Sequence, residues 1–185
     1  DLEAITYLRP SRYCQSDEVF AQARRQFKGL HGLDLIAAVS EFVATSTTYT
    51  PGLSQGTDSA VTTLMTGQGV CRDYAHVVIA LLRAMDMPAR YAACYAPGLR
   101  PMDFHAVAEA YFDGAWYVID ATRLANRQSL VRIATGRDAA DCAFLSFHGG
   151  FVGLTHMRVD AVVVPDDASG DVFDDERGGT APWIR

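Results

Sequence analysis

The chain has 185 residues, 49% of them hydrophobic and 21% charged, with a formal net charge of −6. That length suffices to bury a sizeable core in one domain. The acidic balance argues against nucleic acid as a partner, because binding phosphates needs a basic footprint. No apolar run is long enough to cross a bilayer, so no membrane partner is expected either.

Residues 1–14, through Pro10-Ser11-Arg12-Tyr13, read as an extended lead-in. Ser16 or Asp17 is the expected cap of a helix running to about Lys28, broken by the segment from Gly29 to Gly32. Leu35, Ile36, Val39, Phe42 and Val43 repeat at helical period and predict a second helix. The polar stretch from Thr45 to Gly56, interrupted by Pro51 and Gly52, predicts a loop. A short helix over Ser59–Thr66 should follow, capped by Thr57 or Asp58. Immediately after Gly67-Gln68-Gly69, Tyr74, Val77, Val78, Leu81, Leu82 and Met85 form one continuous apolar stripe. This spacing predicts a core-facing helix that ends before Pro88.

The period then changes. Arg90–Ala96 alternates as a strand, and Pro97–Asp103 is a loop. His105–Phe112 and Ala115–Asp120 flank Asp113-Gly114, a strong hairpin signal. Val159–Val164 reads as a last strand. The order, helices first and strands second, predicts an α+β fold with a mainly antiparallel sheet. The organisation expected is one domain over 1–165 and an acidic, Gly- and Asp-rich tail over 166–185. The four cysteines, at 14, 71, 94 and 142, make no CxxC pair. They read as reduced thiols, and a cytoplasmic location is expected on that basis.

Three residues carry the chemistry. Cys71 stands at the mouth of the strongest helix, where the helix dipole and unpaired N–H groups favour a thiolate and can hold an oxyanion. Taken alone, it reads equally well as a small residue at a helix start. The hairpin discriminates further. A two-residue turn at Asp113-Gly114 pairs Phe112 with Ala115, which puts His105 and Asp120 on one face as diagonal neighbours. A general base and the carboxylate that orients it need that placement. A one-residue slip would put them on opposite faces.

The stretch Gly69-Val70-Cys71-Arg72-Asp73-Tyr74-Ala75-His76, the segment Pro88-Ala89-Arg90-Tyr91, the His105 strand and Asp120-Ala121-Thr122 together resemble the bacterial transglutaminase-like family. Pro10–Cys14 and Gly136-Arg137-Asp138-Ala139-Ala140-Asp141 resemble further segments of it, so the likeness extends over about residues 8–165. It implies a papain-like α+β transglutaminase core with the nucleophile helix packed on the sheet. Cys71 would be the nucleophile, His105 the base and Asp120 the orienting acid, with no metal and no organic cofactor. The implied activity is thiol-dependent acyl transfer or hydrolysis of a peptide or protein amide. The alternative is a catalytically silent peptide-binding module using the same groove. Relatives of this kind carry a β-rich domain before the Pro-Ser-Arg-Tyr segment. The Asp-Thr-Asn ending common after the acid is here Asp120-Ala121-Thr122-Arg123.

Gln68 and Tyr49 are the candidates for a second oxyanion donor. Asp73 is expected to cap the nucleophile helix, Arg72 to face solvent, and His76 to pack beneath the site or bond a backbone carbonyl. Tyr111 and Trp116 should pair across the hairpin. Glu109 shares a face with His105 and reads as a solvated strand residue.

Overall fold

The computed structural model describes residues 2–164, so the expected acidic tail lies outside the described residues. The lead-in contains a short helix, α1 (Leu2–Thr6), where an extended segment was expected. Beyond it, Tyr7 accepts a hydrogen bond from the Ala89 N–H (3.1 Å) and sets its ring edge-on to Trp116. Helix α2 (Phe20–Gln26) starts later than Ser16 or Asp17 would place it and has no side-chain cap. Helix α3 (Gly32–Ser46) buries Leu35, Ile36, Val39 and Val43, four of the five residues whose spacing predicts it, with Phe42 half-buried. The segment expected to be a loop contains a two-residue strand, β1 (Thr48–Tyr49). Helix α4 (Ala60–Thr66) is capped by Ser59, whose Oγ accepts the Thr62 N–H. Asp58, one of the expected caps, instead accepts the Gln55 N–H. Strand β2 (Gln68–Gly69) pairs in parallel with β1.

Helix α5 (Cys71–Ala84) is the centre of the molecule. The apolar stripe predicts one buried face, yet Ala75, His76, Ile79 and Ala80 are buried as well as Val77, Val78, Leu81 and Leu82. The cause is packing on both sides: α2, α3 and α4 cover one flank, and the sheet covers the other. The sheet offers Ala89, Ala106, Ala108 and Ala110 to that core, small side chains that let the helix approach closely.

The sheet comprises β3 (Ala89–Tyr95), β4 (Phe104–Phe112), β5 (Ala115–Ile119) and β6 (Val131–Gly136), in spatial order β5-β4-β3-β6 and antiparallel throughout. Phe112 pairs with Ala115 and Ala108 with Ile119, the register expected from a two-residue turn. Asp113 (φ 48°) and Gly114 (φ 81°) both occupy the left-handed region, as a type I′ turn requires. Tyr111 and Trp116 pair directly, with ring centroids 5.1 Å apart.

Two strand expectations need correction. Residues 159–164 form no strand: the sheet is β5-β4-β3-β6, its last strand comes from Val131–Gly136, and a run of β-branched residues alone does not supply a pairing partner. Strand β6 itself has an inverted pattern: Val131 and Ile133 face outward while Arg132 is turned towards Glu109. Polar-in, apolar-out alternation hides a strand from hydropathy.

Glu109 is fully buried rather than solvated. Its carboxylate accepts from Arg90 Nε (2.6 Å) on one oxygen and from Arg132 Nε (2.9 Å) on the other. The Arg90 guanidinium also lies 3.8 Å over the Trp116 ring and contacts Glu3. Removing one partner of such a network leaves a buried, uncompensated charge. Glu109→Ala is therefore expected to destabilise the fold by about 3–5 kcal/mol, read as a lower urea midpoint. Arg83, also buried, ties distant segments together: its guanidinium donates to the carbonyls of Ala89 (2.9 Å), Arg9 (3.0 Å) and Arg137 (2.7 Å).

Candidate active site

Cys71 is the first residue of α5 and is half-buried. The turn before it is fastened by Asp73, which is almost completely buried. One Asp73 oxygen accepts the Val70 N–H (2.8 Å) and the Ser54 hydroxyl (2.5 Å), and the other accepts Arg72 Nε (3.1 Å). Asp73 thus caps the helix as expected, from its third position. Arg72 does not extend into solvent: its guanidinium also donates to Ser54 Oγ (2.6 Å) and to the Gln55 carbonyl. The 51–58 loop is thereby bound to the start of α5. Gly69 is required because Asp73 approaches so closely: a Cβ there would lie 2.6 Å from the Asp73 Cβ.

The β1–β2 ladder aligns Tyr49 with Gly69 and brings its hydroxyl to the Cys71 backbone N–H. Burial raises the Tyr49 pKa and the nearby Cys71 and Asp103 charges add to the rise, while the Cys71 N–H partly offsets it. The second candidate donor, Gln68, lines a neighbouring cavity of about 240 Å³ with Leu53, Asp58, Thr62 and Thr66.

His105 is the second residue of β4 and pairs with Cys94 of β3. Asp120 follows directly on the last residue of β5. Their side chains share a face, and His105 Nε2 lies 2.8 Å from Asp120 Oδ2, both side chains almost wholly buried. The other carboxylate oxygen accepts the Thr122 N–H (3.0 Å) and hydroxyl (2.6 Å). Asp120 is thus held in a turn that its own side chain closes. Thr122 was not singled out as a site residue from sequence, although a Thr two positions after an Asp is a recognisable signal for such a turn. Cys94 is buried, and its thiol donates to the His105 carbonyl (3.5 Å), anchoring that backbone.

With Nε2 engaged by Asp120, the ring's other nitrogen, Nδ1, is buried and makes no hydrogen bond of its own. Burial pulls the His105 pKa down, but the hydrogen bond to Asp120 and the neighbouring Cys71, with the charges on both, outweigh it. The net effect raises the pKa from 6.5 to about 10. An imidazolium bonded to a carboxylate, with a thiol near enough to shift its pKa, can hold a thiolate as an ion pair and deliver a proton.

The remaining thiols stand in different surroundings. Burial pushes Cys14 up to about 12, Cys142 up to about 11, and Cys94 further still. His76, on the buried side of α5, stacks on Tyr13 (centroids 5.3 Å) and tilts against Tyr91 (5.5 Å), with burial lowering its pKa to about 4. It packs into the core, the first of the two expectations for it, and its Nε2 accepts the Ala139 N–H (3.2 Å) in place of a bond to a carbonyl. Among the described residues, no group of three or more His, Cys, Asp or Glu side chains is placed to hold a metal ion.

The family model of the transglutaminase-like superfamily matches residues 21–121. The crystal structure of a candidate cysteine protease from Cytophaga hutchinsonii superposes with a TM-score of 0.78 at 44% identity, over 81% of this chain and 52% of that one. The periplasmic domain of TgpA from Pseudomonas aeruginosa shares the fold at 24% identity and a TM-score of 0.55, over 69% of this chain and 51% of that one. An uncharacterised protein of Mycobacterium leprae is 26% identical over 165 residues, which cover 84% of this chain. The chain spans only 58% of the length of that relative.

Proposed function

For a chain that belongs to the transglutaminase-like superfamily, we propose a cysteine-dependent amide hydrolase or acyltransferase in which Cys71, His105 and Asp120 act as one catalytic unit. The observation that carries this reading is the division of the His105 ring. Nε2 is bound to Asp120, Nδ1 is buried and free of other partners, and the pKa is raised to about 10 in part by Cys71. The likeness to a candidate cysteine protease at 44% identity supports a peptide amide as substrate.

In this mechanism the Cys71 thiolate attacks the amide carbonyl carbon. The oxygen that becomes negative is met by the Cys71 N–H at the start of α5, with the Tyr49 hydroxyl beside it as the second donor. His105 gives its proton to the leaving nitrogen as the C–N bond breaks, which leaves a thioester on Cys71. Water, activated by the now neutral His105, then releases the acid. An amine taking the place of water would give a new amide instead. Asp120 holds the ring in place and stabilises its charged form.

Alkylation with iodoacetamide at neutral pH tests the ion pair. Cys71 is expected to react far ahead of Cys14, Cys94 and Cys142, whose thiols burial disfavours as nucleophiles. Peptide mapping that found Cys71 no faster than these three would favour a catalytically silent peptide-binding module.

A further inference from the structure

The carboxylates around the proposed site differ in how far their charge is already met. Asp73 and Asp120 are buried, and each has both oxygens engaged. Asp103 is exposed. Among the described residues its one hydrogen bond runs from the Phe104 N–H to Oδ1 (2.7 Å), and no cation pairs with it. The guanidinium groups that follow Cys71 and Thr122 in sequence are committed elsewhere, Arg72 to Asp73 and Arg123 to Glu41.

Two observations bring Asp103 to the site. It stands two residues before His105, at the entry to β4. The alternation that turns Phe104 to the opposite face therefore returns Asp103 to the side of the His105 ring. Across the site, the Tyr49 hydroxyl meets the Cys71 N–H and responds to the Asp103 charge. The principal charges acting on that hydroxyl, from Cys71, Asp103 and Asp120, are all negative. The His105 imidazolium is shared between Cys71 and Asp120, which leaves the charge of Asp103 unbalanced.

The acyl transfer decides which half of a substrate meets that charge. The amide nitrogen must come within hydrogen-bond reach of His105 for its bond to break. Charges act through space, so a substituent on that nitrogen need not touch Asp103 to be influenced by it. With the nitrogen held at His105, a cation a few bonds away is attracted to the carboxylate and an anion is repelled.

Resting on the proposed acyl transfer, we infer that Asp103 is a specificity-determining residue that selects an amine half carrying a basic side chain. In a peptide substrate that side chain belongs to a lysine or arginine directly after the scissile bond. The same preference applies to the amine that leaves in the forward reaction and to any amine that attacks the thioester.

The test does not need the natural substrate. p-Nitrophenyl acetate places an uncharged acetyl group on the Cys71 sulfur and releases p-nitrophenolate. An added amine then competes with water for the thioester: its α-nitrogen bonds to the acetyl carbon, the C–S bond breaks, and the amine proton passes to His105. Argininamide is compared with citrullinamide, which has nearly the same shape and no side-chain charge, each normalised to its rate with a small thioester in solution. At low ionic strength argininamide is expected to be captured about fivefold more efficiently, the upper range for an exposed charge pair. The ratio should fall towards one in about 1 M salt, where such a pair is screened. It should do the same in Asp103→Asn at low salt. Asparagine keeps an oxygen for the Phe104 N–H and the position is exposed, so the urea midpoint should match the parent's. Reading a ratio within each variant cancels any change in acetyl loading. If Cys71 loads but the two amines are used alike, or the ratio survives Asp103→Asn, the role of Asp103 is overturned while the acyl-transfer mechanism stands. If no acetyl group reaches Cys71, the mechanism itself fails and the inference fails with it.

Discussion

Cys71→Ala is expected to lower the turnover of p-nitrophenyl acetate, and of any peptide the protein cleaves, by about four to six orders of magnitude, since removal of a nucleophile leaves only binding and oxyanion stabilisation. The fold should survive. The side chain is half-buried, and alanine is the best helix former at a position already inside α5. The fastening of the α5 start is made by Asp73, Arg72 and Ser54 and does not involve the sulfur. Circular dichroism and the urea midpoint should therefore match those of the parent while acetyl transfer disappears. Activity that persisted in a folded Cys71→Ala protein would remove Cys71 from the mechanism.

Asp120→Asn is expected to cost about three to four orders of magnitude in kcat/KM, although the two side chains have the same shape. The carboxylate serves two clients, His105 on one oxygen and the Thr122 N–H and hydroxyl on the other. An asparagine has one oxygen for both. The two Thr122 donors hold that oxygen, so the NH2 group turns to His105 Nε2 and makes it an acceptor. The ring proton is then forced onto Nδ1 in the neutral ring, on the side of Cys71, and no base faces the sulfur. The charge that raised the His105 pKa is lost at the same time, so that pKa should fall well below its parent value of about 10. NMR of the imidazole nitrogens reads both the tautomer and the titration. Stability gives a second readout. The folded pKa of His105 lies above its ordinary 6.5, so the stabilisation it contributes is fully present below about pH 6.5 and is lost as pH rises towards 10. The parent's urea midpoint should fall over that window, and that dependence should be largely absent in Asp120→Asn. A variant that kept the parent's activity and its pH dependence of stability would count against the carboxylate as the orienting group.

Much of the site was legible because it rests on local chemistry. The Asp113-Gly114 pair predicts a two-residue turn, and that turn sets the register that places His105 and Asp120 on one face. Gly69, Cys71 and Asp73 mark a helix start whose cap lies within three residues. Where chain order misled, the partner lay far away. Glu109 reads as a solvated strand residue because nothing beside it in sequence is basic. Arg90, 19 positions earlier, and Arg132, 23 positions later, meet it only once β3, β4 and β6 are assembled.

By itself, then, the sequence determined the elements whose signals are periodic or local: helices α3 and α5, the β4–β5 hairpin with its register, and the residues that bear the candidate chemistry. Tertiary structure decided the rest. It buried α5 on both flanks, paired β1 with β2 so that Tyr49 reached the Cys71 N–H, and moved the last strand of the sheet from 159–164 to Val131–Gly136. The physical reason is the same in each case. A helix period or a turn is written in neighbouring residues, whereas burial, ion pairing and strand pairing depend on which distant surface covers a group.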